Sequence, residues 1–226
     1  MPKIVQNIKI DIEGLLKSLI ECGIADDQNF PMPRSASNNV WEVTFACAEH
    51  VSFAMGGIDY AAIYKELSEK RSYTAKLLDG GLLQLMYRFE DEHLVRHRLA
   101  YYPSPELRPF QEDPELYMQD ELYLDIVSRR IVPFPLRFDF DKTAARDVVH
   151  PMCHLTLGDV KGCRIPVSAP LTPRWFIDFV LRNFYLTDKY DFISKLPTHK
   201  LNFDLTITAN ERHLIHIVIP GPLRRG

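Results

Sequence analysis

The amino-acid sequence predicts an α+β fold: a mostly antiparallel sheet built from hairpins, with helices packed on one side. Three observations lead there. Segments of strand-favouring composition outnumber amphipathic helical ones. They come as sequential neighbours joined by short polar turns. The regular β–α alternation that a doubly wound parallel sheet requires is missing.

The elements follow in chain order. Residues 8–22, IKIDIEGLLKSLIEC, set Ile8, Ile12, Leu15, Leu16, Leu19 and Ile20 at helical spacing, and Gly23 follows where a glycine ends a helix. Residues 25–39 read as an irregular connection, because Pro31 and Pro33 interrupt any regular element. VWEVTFAC alternates Trp41, Val43, Phe45 and Cys47 at period two, a half-buried strand. IDYAAIYKELSEK, after Gly56 and Gly57, is a second helix.

GLLQLMYRF and HLVRHRLAYY form the clearest hairpin, turning at Glu90, Asp91 and Glu92. On its second strand Leu94, Arg96, Arg98, Ala100 and Tyr102 share one face, and His93, Val95, His97, Leu99 and Tyr101 the other. Residues 111–130 read as a helix with Asp113 as N-cap, Pro114 at N1, and Arg129 and Arg130 at its end. That helix carries six acids and no base between Gln111 and Asp125, either a solvated face or an acidic docking surface.

VPFPLRFDFD is extended, and CHLTLGD and CRIPV are two short strands joined by VKG. LTPRWFIDFVLRNFYL is the strongest helix, capped by Thr172 with Pro173 at N1 and a core stripe of Phe176, Phe179, Val180 and Phe184. LNFDLTIT and HLIHIVIPG form a second hairpin across ANER. No repeat, low-complexity segment or linker divides the chain. Residues 1–226 therefore read as one α+β domain, with the helical segment 1–23 at its periphery.

Composition narrows the function. At 46% hydrophobic and 25% charged the chain is ordinary globular material. A formal net charge of −3 argues against a wholly basic nucleic-acid or membrane binder, while leaving room for a local basic face. The four cysteines, Cys22, Cys47, Cys153 and Cys163, include no C-x-x-C pair, which fits reduced thiols in a cytoplasmic protein. No apolar run reaches about 18 residues and no signal peptide is recognisable, so no membrane association is expected. Phosphate-loop, G-x-G-x-x-G, G-x-S-x-G and H-E-x-x-H motifs are all absent.

One stretch concentrates chemistry. RFDFDKTAARDVVHPMCH, residues 137–154, holds three Asp, two His, two Arg and a Cys. Alternation in RFDFD puts Arg137, Asp139 and Asp141 on one strand face, with Phe138 and Phe140 on the other. Two carboxylates so placed match Mg²⁺ or Mn²⁺, which would activate water and neutralise phosphate charge. The plainer alternative is the polar outer face of a half-buried strand. His154 and His150 are candidate acid–base groups, and Arg137 or Arg164 candidate stabilisers of phosphate. A zinc site from His150, Cys153, His154 and Cys163 is disfavoured, because Cys153 and His154 point to opposite faces of one strand. Arg88, Arg96 and Arg98, beside Tyr101 and Tyr102, form a candidate surface for single-stranded nucleic acid. Arg224 and Arg225 read as a frayed tail.

The run HPMCHLTLGDVKGCRIPVSAPLTPRWFIDFVLRNFY, residues 150–185, with LRFDFD before it, resembles an uncharacterised bacterial domain-of-unknown-function family. The resemblance implies a bacterial, intracellular accessory protein, associated with mobile or phage-defence gene neighbourhoods. It carries no activity or catalytic assignment. The expected function is therefore an accessory role in a nucleic-acid-directed system, with a metal-assisted phosphodiesterase or nuclease site at Asp139, Asp141 and His154. The alternative is a non-catalytic subunit that binds a protein partner through the acidic helix, or nucleic acid through the arginine hairpin.

Overall fold

The computed structural model describes residues 1–46, 48, 59–105, 134–158, 160, 162–185, 191–198 and 201–220. The expected helix at 111–130, Cys47, Gly56, Gly57, Arg224 and Arg225 lie outside the described residues.

Helix α1 (Lys3–Glu21) follows the apolar stripe read from the sequence. It ends in a Schellman arrangement: Gly23 takes φ +71°, its N–H donates to the Ile20 carbonyl, and the Ile24 N–H donates to the Leu19 carbonyl at 3.1 Å. The segment is not peripheral. Val5, Ile8, Ile12, Leu15, Leu16 and Leu19 are each at most 2% exposed and belong to the main hydrophobic cluster. Each such burial contributes about 1.5–3 kcal/mol, so the helix is a wall of the core.

The strands are β1 (Ala25–Gln28), β2 (Met32–Ser37), β3 (Val40–Thr44), β4 (Ala75–Leu77), β5 (Leu82–Glu90), β6 (His93–Tyr102), β7 (Leu136–Asp141), β8 (Cys153–Leu157) and β9 (Ile165–Pro166). Among the described residues they make one nine-stranded sheet in the order β1-β4-β5-β6-β7-β8-β9, with every strand pairing antiparallel. The free side of β5 is shared: its start pairs with β4 and its end with β3, which carries β2.

The structure corrects the reading of residues 25–39, which hold β1 and β2 rather than an irregular connection. Pro33 sits in a strand because, among the described residues, β2 pairs on one side only, with β3, so a missing N–H can face away from the ladder. The expected hairpin of β5 and β6 forms, with one adjustment. A bulge pairs Phe89 with Leu94 and Arg88 with Arg96, so Leu94 turns to the core instead of sharing the face of Arg96. The expected second hairpin does not form: residues 201–220 hold a short 3₁₀ turn, Glu211–His213, and one bridge from Ile217 to Val167. The pattern there is apolar, but Leu205, Ile215 and Val218 stay exposed, so the alternation buries no common face.

Alternation along the strands divides the sheet. Leu83, Leu85, Tyr87, Phe89, His97, Leu99, Tyr101, Phe138, Phe140, Cys153 and Leu155 point to one side. There α1 and α3 (Pro173–Val180) pack through apolar stripes, α3 by Phe176, Ile177 and Val180. Helix α2 (Tyr60–Glu69) lies against one end of the far face, where Ile63 and Leu67 meet Leu82, Ala100 and Tyr102.

Local chemistry sets α3. The Thr172 hydroxyl accepts the Trp175 N–H and Pro173 takes the first helical position, as the sequence predicts. The preceding residue is clamped from the sheet. Leu171 donates its N–H to His97 Nε2 at 3.2 Å, and its carbonyl accepts the Tyr87 hydroxyl at 3.0 Å. At the other end of the helix the chain widens into a π turn, Leu181–Tyr185. The Tyr185 hydroxyl donates to Asp79 at 2.9 Å, and the hydroxyls of Tyr185 and Tyr101 lie 2.9 Å apart. Gly81 is required beside them, since a Cβ there would come within 2.6 Å of the Tyr185 hydroxyl.

Candidate functional site

The face opposite α1 and α3 carries the polar partners of the same strands. Phe138 and Phe140 take the core side of β7, so Arg137, Asp139 and Asp141 take the other, as the alternation predicts. Three cross-strand rows result. Glu42, Arg88, Arg96 and Asp141 stand side by side on β3, β5, β6 and β7. Met86, Arg98, Asp139 and His154 form the next row, and Gln84, Ala100, Arg137 and Thr156 the third.

The middle row holds the tightest charge group. Arg98 Nε donates to Asp139 Oδ1 at 3.1 Å, and Arg137 Nε lies 3.9 Å from Asp139 Oδ2. Burial alone would raise the Asp139 pKa, but the two guanidinium groups outweigh it and hold the carboxyl below its ordinary range. Asp139 is thus a carboxylate fixed between two cations. Arg137 contributes a further feature: its Nε is buried and has no hydrogen-bond partner, because 3.9 Å is too long for one.

Asp141 is engaged differently. Its Oδ1 accepts the N–H and hydroxyl of Thr143, at 2.9 and 2.7 Å, and the Ala144 N–H, while its Oδ2 lies 3.5 Å from Arg96. Partial burial raises its pKa, but those hydrogen bonds prevail and lower it. In the same row Arg88 meets Glu42 at 3.2 Å. Arg88 and Arg96 are direct cross-strand neighbours, a like-charge pairing that costs stability unless acids flank it. Glu42 and Asp141 flank it on both sides.

The histidines complete the group. His154 pairs with Asp139 across β7 and β8, and the rings of His150 and His154 meet edge to face with centroids 4.9 Å apart. His154 Nδ1 lies 2.9 Å from the Pro151 carbonyl. Burial lowers the pKa of both histidines, and the nearby positive charge of Arg164 lowers them further. Both are therefore neutral imidazoles near pH 7. Arg164 itself is exposed, immediately before β9, whose Pro166 pairs with His154.

A short loop delivers His150. Arg146 and His150 exchange backbone hydrogen bonds of 2.9 and 2.8 Å around a three-residue tip in which Val148 takes φ +65°. A β-branched residue in that region is strained. The tip is held from the C-terminal segment: Asp147 accepts from Thr208 and Asn210 at 2.5 Å, and the Val148 N–H faces Glu211 Oε1 at 3.4 Å.

Arg88, Arg96, Arg98, Arg137, Asp139, Asp141 and His154 thus share one sheet face, and His150 and Arg164 stand beside it. Cys153 does not: it turns to the core, where its thiol donates to the Ala169 carbonyl at 3.3 Å. Among the described residues, no group of three or more His, Cys, Asp or Glu side chains is placed to hold a metal ion. The carboxylates read as Mg²⁺ or Mn²⁺ ligands are engaged with separate guanidinium and hydrogen-bond partners. Sequence reasoning missed Glu42, whose partner Arg88 lies 46 residues away, because only the register of β3 on β5 brings them together.

The family model described as Uncharacterized conserved protein (DUF2290) matches residues 24–219. The chain belongs to that family. The span matched to DUF2290 contains the nine described strands, α2, α3 and the polar face, whereas α1 precedes it. No curated protein and no solved structure matches the chain. Among the described residues, no helix is long and apolar enough to cross a membrane.

Proposed function

We propose that this chain is an accessory nucleic-acid-binding protein that seats the phosphodiester backbone on the sheet face bearing Arg88, Arg96, Arg98 and Arg137, with Arg164 beside it. The observation that carries this reading is Arg137. Its guanidinium lies on a sheet face beside further arginines and shares Asp139 with Arg98, so one carboxylate serves two cations there. A phosphate oxygen is the acceptor that guanidinium geometry suits best. Both histidines are neutral donors or acceptors at the edge of the same surface and add no repulsion between themselves.

The binding reading is preferred to a metal-dependent nuclease on electrostatic grounds. A divalent cation at Asp139 would have to displace two guanidinium groups from a single carboxylate. Fluorescence anisotropy with a labelled single-stranded oligonucleotide tests the proposal. Binding at low salt that weakens in Arg137→Gln and Arg164→Gln is expected, and absence of binding at low salt refutes it. Incubating the same oligonucleotide with Mg²⁺ or Mn²⁺ should leave it intact, and cleavage lost in Asp139→Ala would restore the nuclease reading.

A further inference from the structure

We propose that the strand bound on this face is RNA, and that His154 Nε2 recognises it by accepting a hydrogen bond from a ribose 2′-hydroxyl. The inference rests on the phosphate-binding reading above and adds the identity of the sugar. It starts from a tautomer. The Pro151 carbonyl can only accept, so the contact of 2.9 Å places a hydrogen on His154 Nδ1. In the neutral ring that leaves Nε2 with its lone pair and no proton.

The surroundings keep it so. Burial disfavours the imidazolium, and Arg164 and His150 lie close enough to oppose a second proton. From β7, Asp139 favours the charged ring, but that carboxylate is already neutralised by Arg98 and Arg137. The result is a neutral acceptor set among guanidinium groups that can only donate.

That combination sorts ligands. A phosphate oxygen offers lone pairs and suits Arg137, but it would face the lone pair of His154 Nε2 unfavourably. DNA has no sugar donor to place there. RNA has one on every nucleotide, and it is the group by which proteins tell the two polymers apart. Arg137 and His154 sit diagonally across β7 and β8 on one face, because Arg137 pairs with Thr156 and Asp139 with His154. Diagonal neighbours lie about 7–8 Å apart, which is the reach of one nucleotide.

The experiment compares three labelled strands of one base sequence on the wild-type protein: RNA, DNA and 2′-O-methyl RNA. The methylated strand keeps the ribose shape but cannot donate. RNA is expected to bind about 3–10-fold more tightly than both others, the worth of one neutral hydrogen bond. His154→Phe should abolish that preference, read as the ratio of RNA to 2′-O-methyl RNA affinity on the same variant, with circular dichroism to verify folding. Should that variant fail to fold, the methylated strand on the wild type decides alone. Equal affinity for RNA and 2′-O-methyl RNA overturns the inference and leaves the phosphate-binding face standing. Binding of none of the three overturns both.

Discussion

His97 offers the sharpest test of how the sheet holds α3. The ring is 1% exposed, between Tyr87 and Phe140, and its Nε2 accepts the Leu171 N–H one residue before the cap of α3. Burial lowers its pKa from 6.5 to about 4. The unfolded chain therefore takes up this proton near pH 6.5, whereas the folded protein resists it until about pH 4. The unfolded state binds more protons across that window, so stability falls as the pH falls through it. A shift of this size corresponds to about 3 kcal/mol, of which about 2.5 kcal/mol is lost by pH 4.5.

His97→Phe removes both the titration and the acceptor. It should cost about 1–3 kcal/mol at pH 7.5, because the Leu171 N–H is left buried without a partner. The same variant should lose less than the wild type on acidification. Urea unfolding of both proteins at pH 7.5, 6.0 and 4.5 reads the difference between them, which cancels other titrating groups. That difference should shrink or reverse by about 2.5 kcal/mol between the extremes. A difference constant with pH would falsify the assignment of His97 as a buried neutral acceptor.

Two other substitutions probe the polar face and its loop. Asp139→Asn leaves Arg98 and Arg137 without their shared counter-charge, so it should destabilise the fold by about 3 kcal/mol in urea unfolding. It should also tighten binding of single-stranded nucleic acid in anisotropy; unchanged stability would show that the pair is solvated and weak. Val148→Gly relieves a left-handed β-branched residue that is 42% exposed, and should raise stability by about 1 kcal/mol. A fall in the unfolding midpoint instead would mean that Val148 contributes packing that outweighs its backbone strain.

Much of the fold can be read from local pattern. The helical stripe of α1, the β5–β6 hairpin, the Thr172–Pro173 start of α3 and the division of β7 into phenyl and charged faces all follow from short-range periodicity. The misreadings are equally physical. Pro31 and Pro33 look like breakers unless the strand is known to be an edge, and edge position is a tertiary fact. The bulge opposite Phe89 reverses the parity of Leu94, and no residue in HLVRHRLAYY announces it. Residues 201–220 alternate well enough for a hairpin, but a strand also needs a neighbour to bury its face.

The candidate site was legible as a set of faces and not as a set of contacts. Alternation put Arg96 with Arg98 and Asp139 with Asp141, yet only the register of β6 on β7 matches Arg98 with Asp139 and Arg96 with Asp141. That register turns a proposed pair of metal ligands into two separate ion pairs. It also brings His154 beside Asp139, a convergence the sequence could pose only as a geometric question.

The salt dependence of oligonucleotide binding tests the central claim most directly. Each phosphate contact with single-stranded nucleic acid contributes about 0.7 to the slope of log affinity against log salt concentration. If Arg137 and Arg164 seat the backbone, Arg137→Gln and Arg164→Gln should each reduce that slope by about 0.7. Slopes and affinities equal to those of the wild type in both variants would contradict the account.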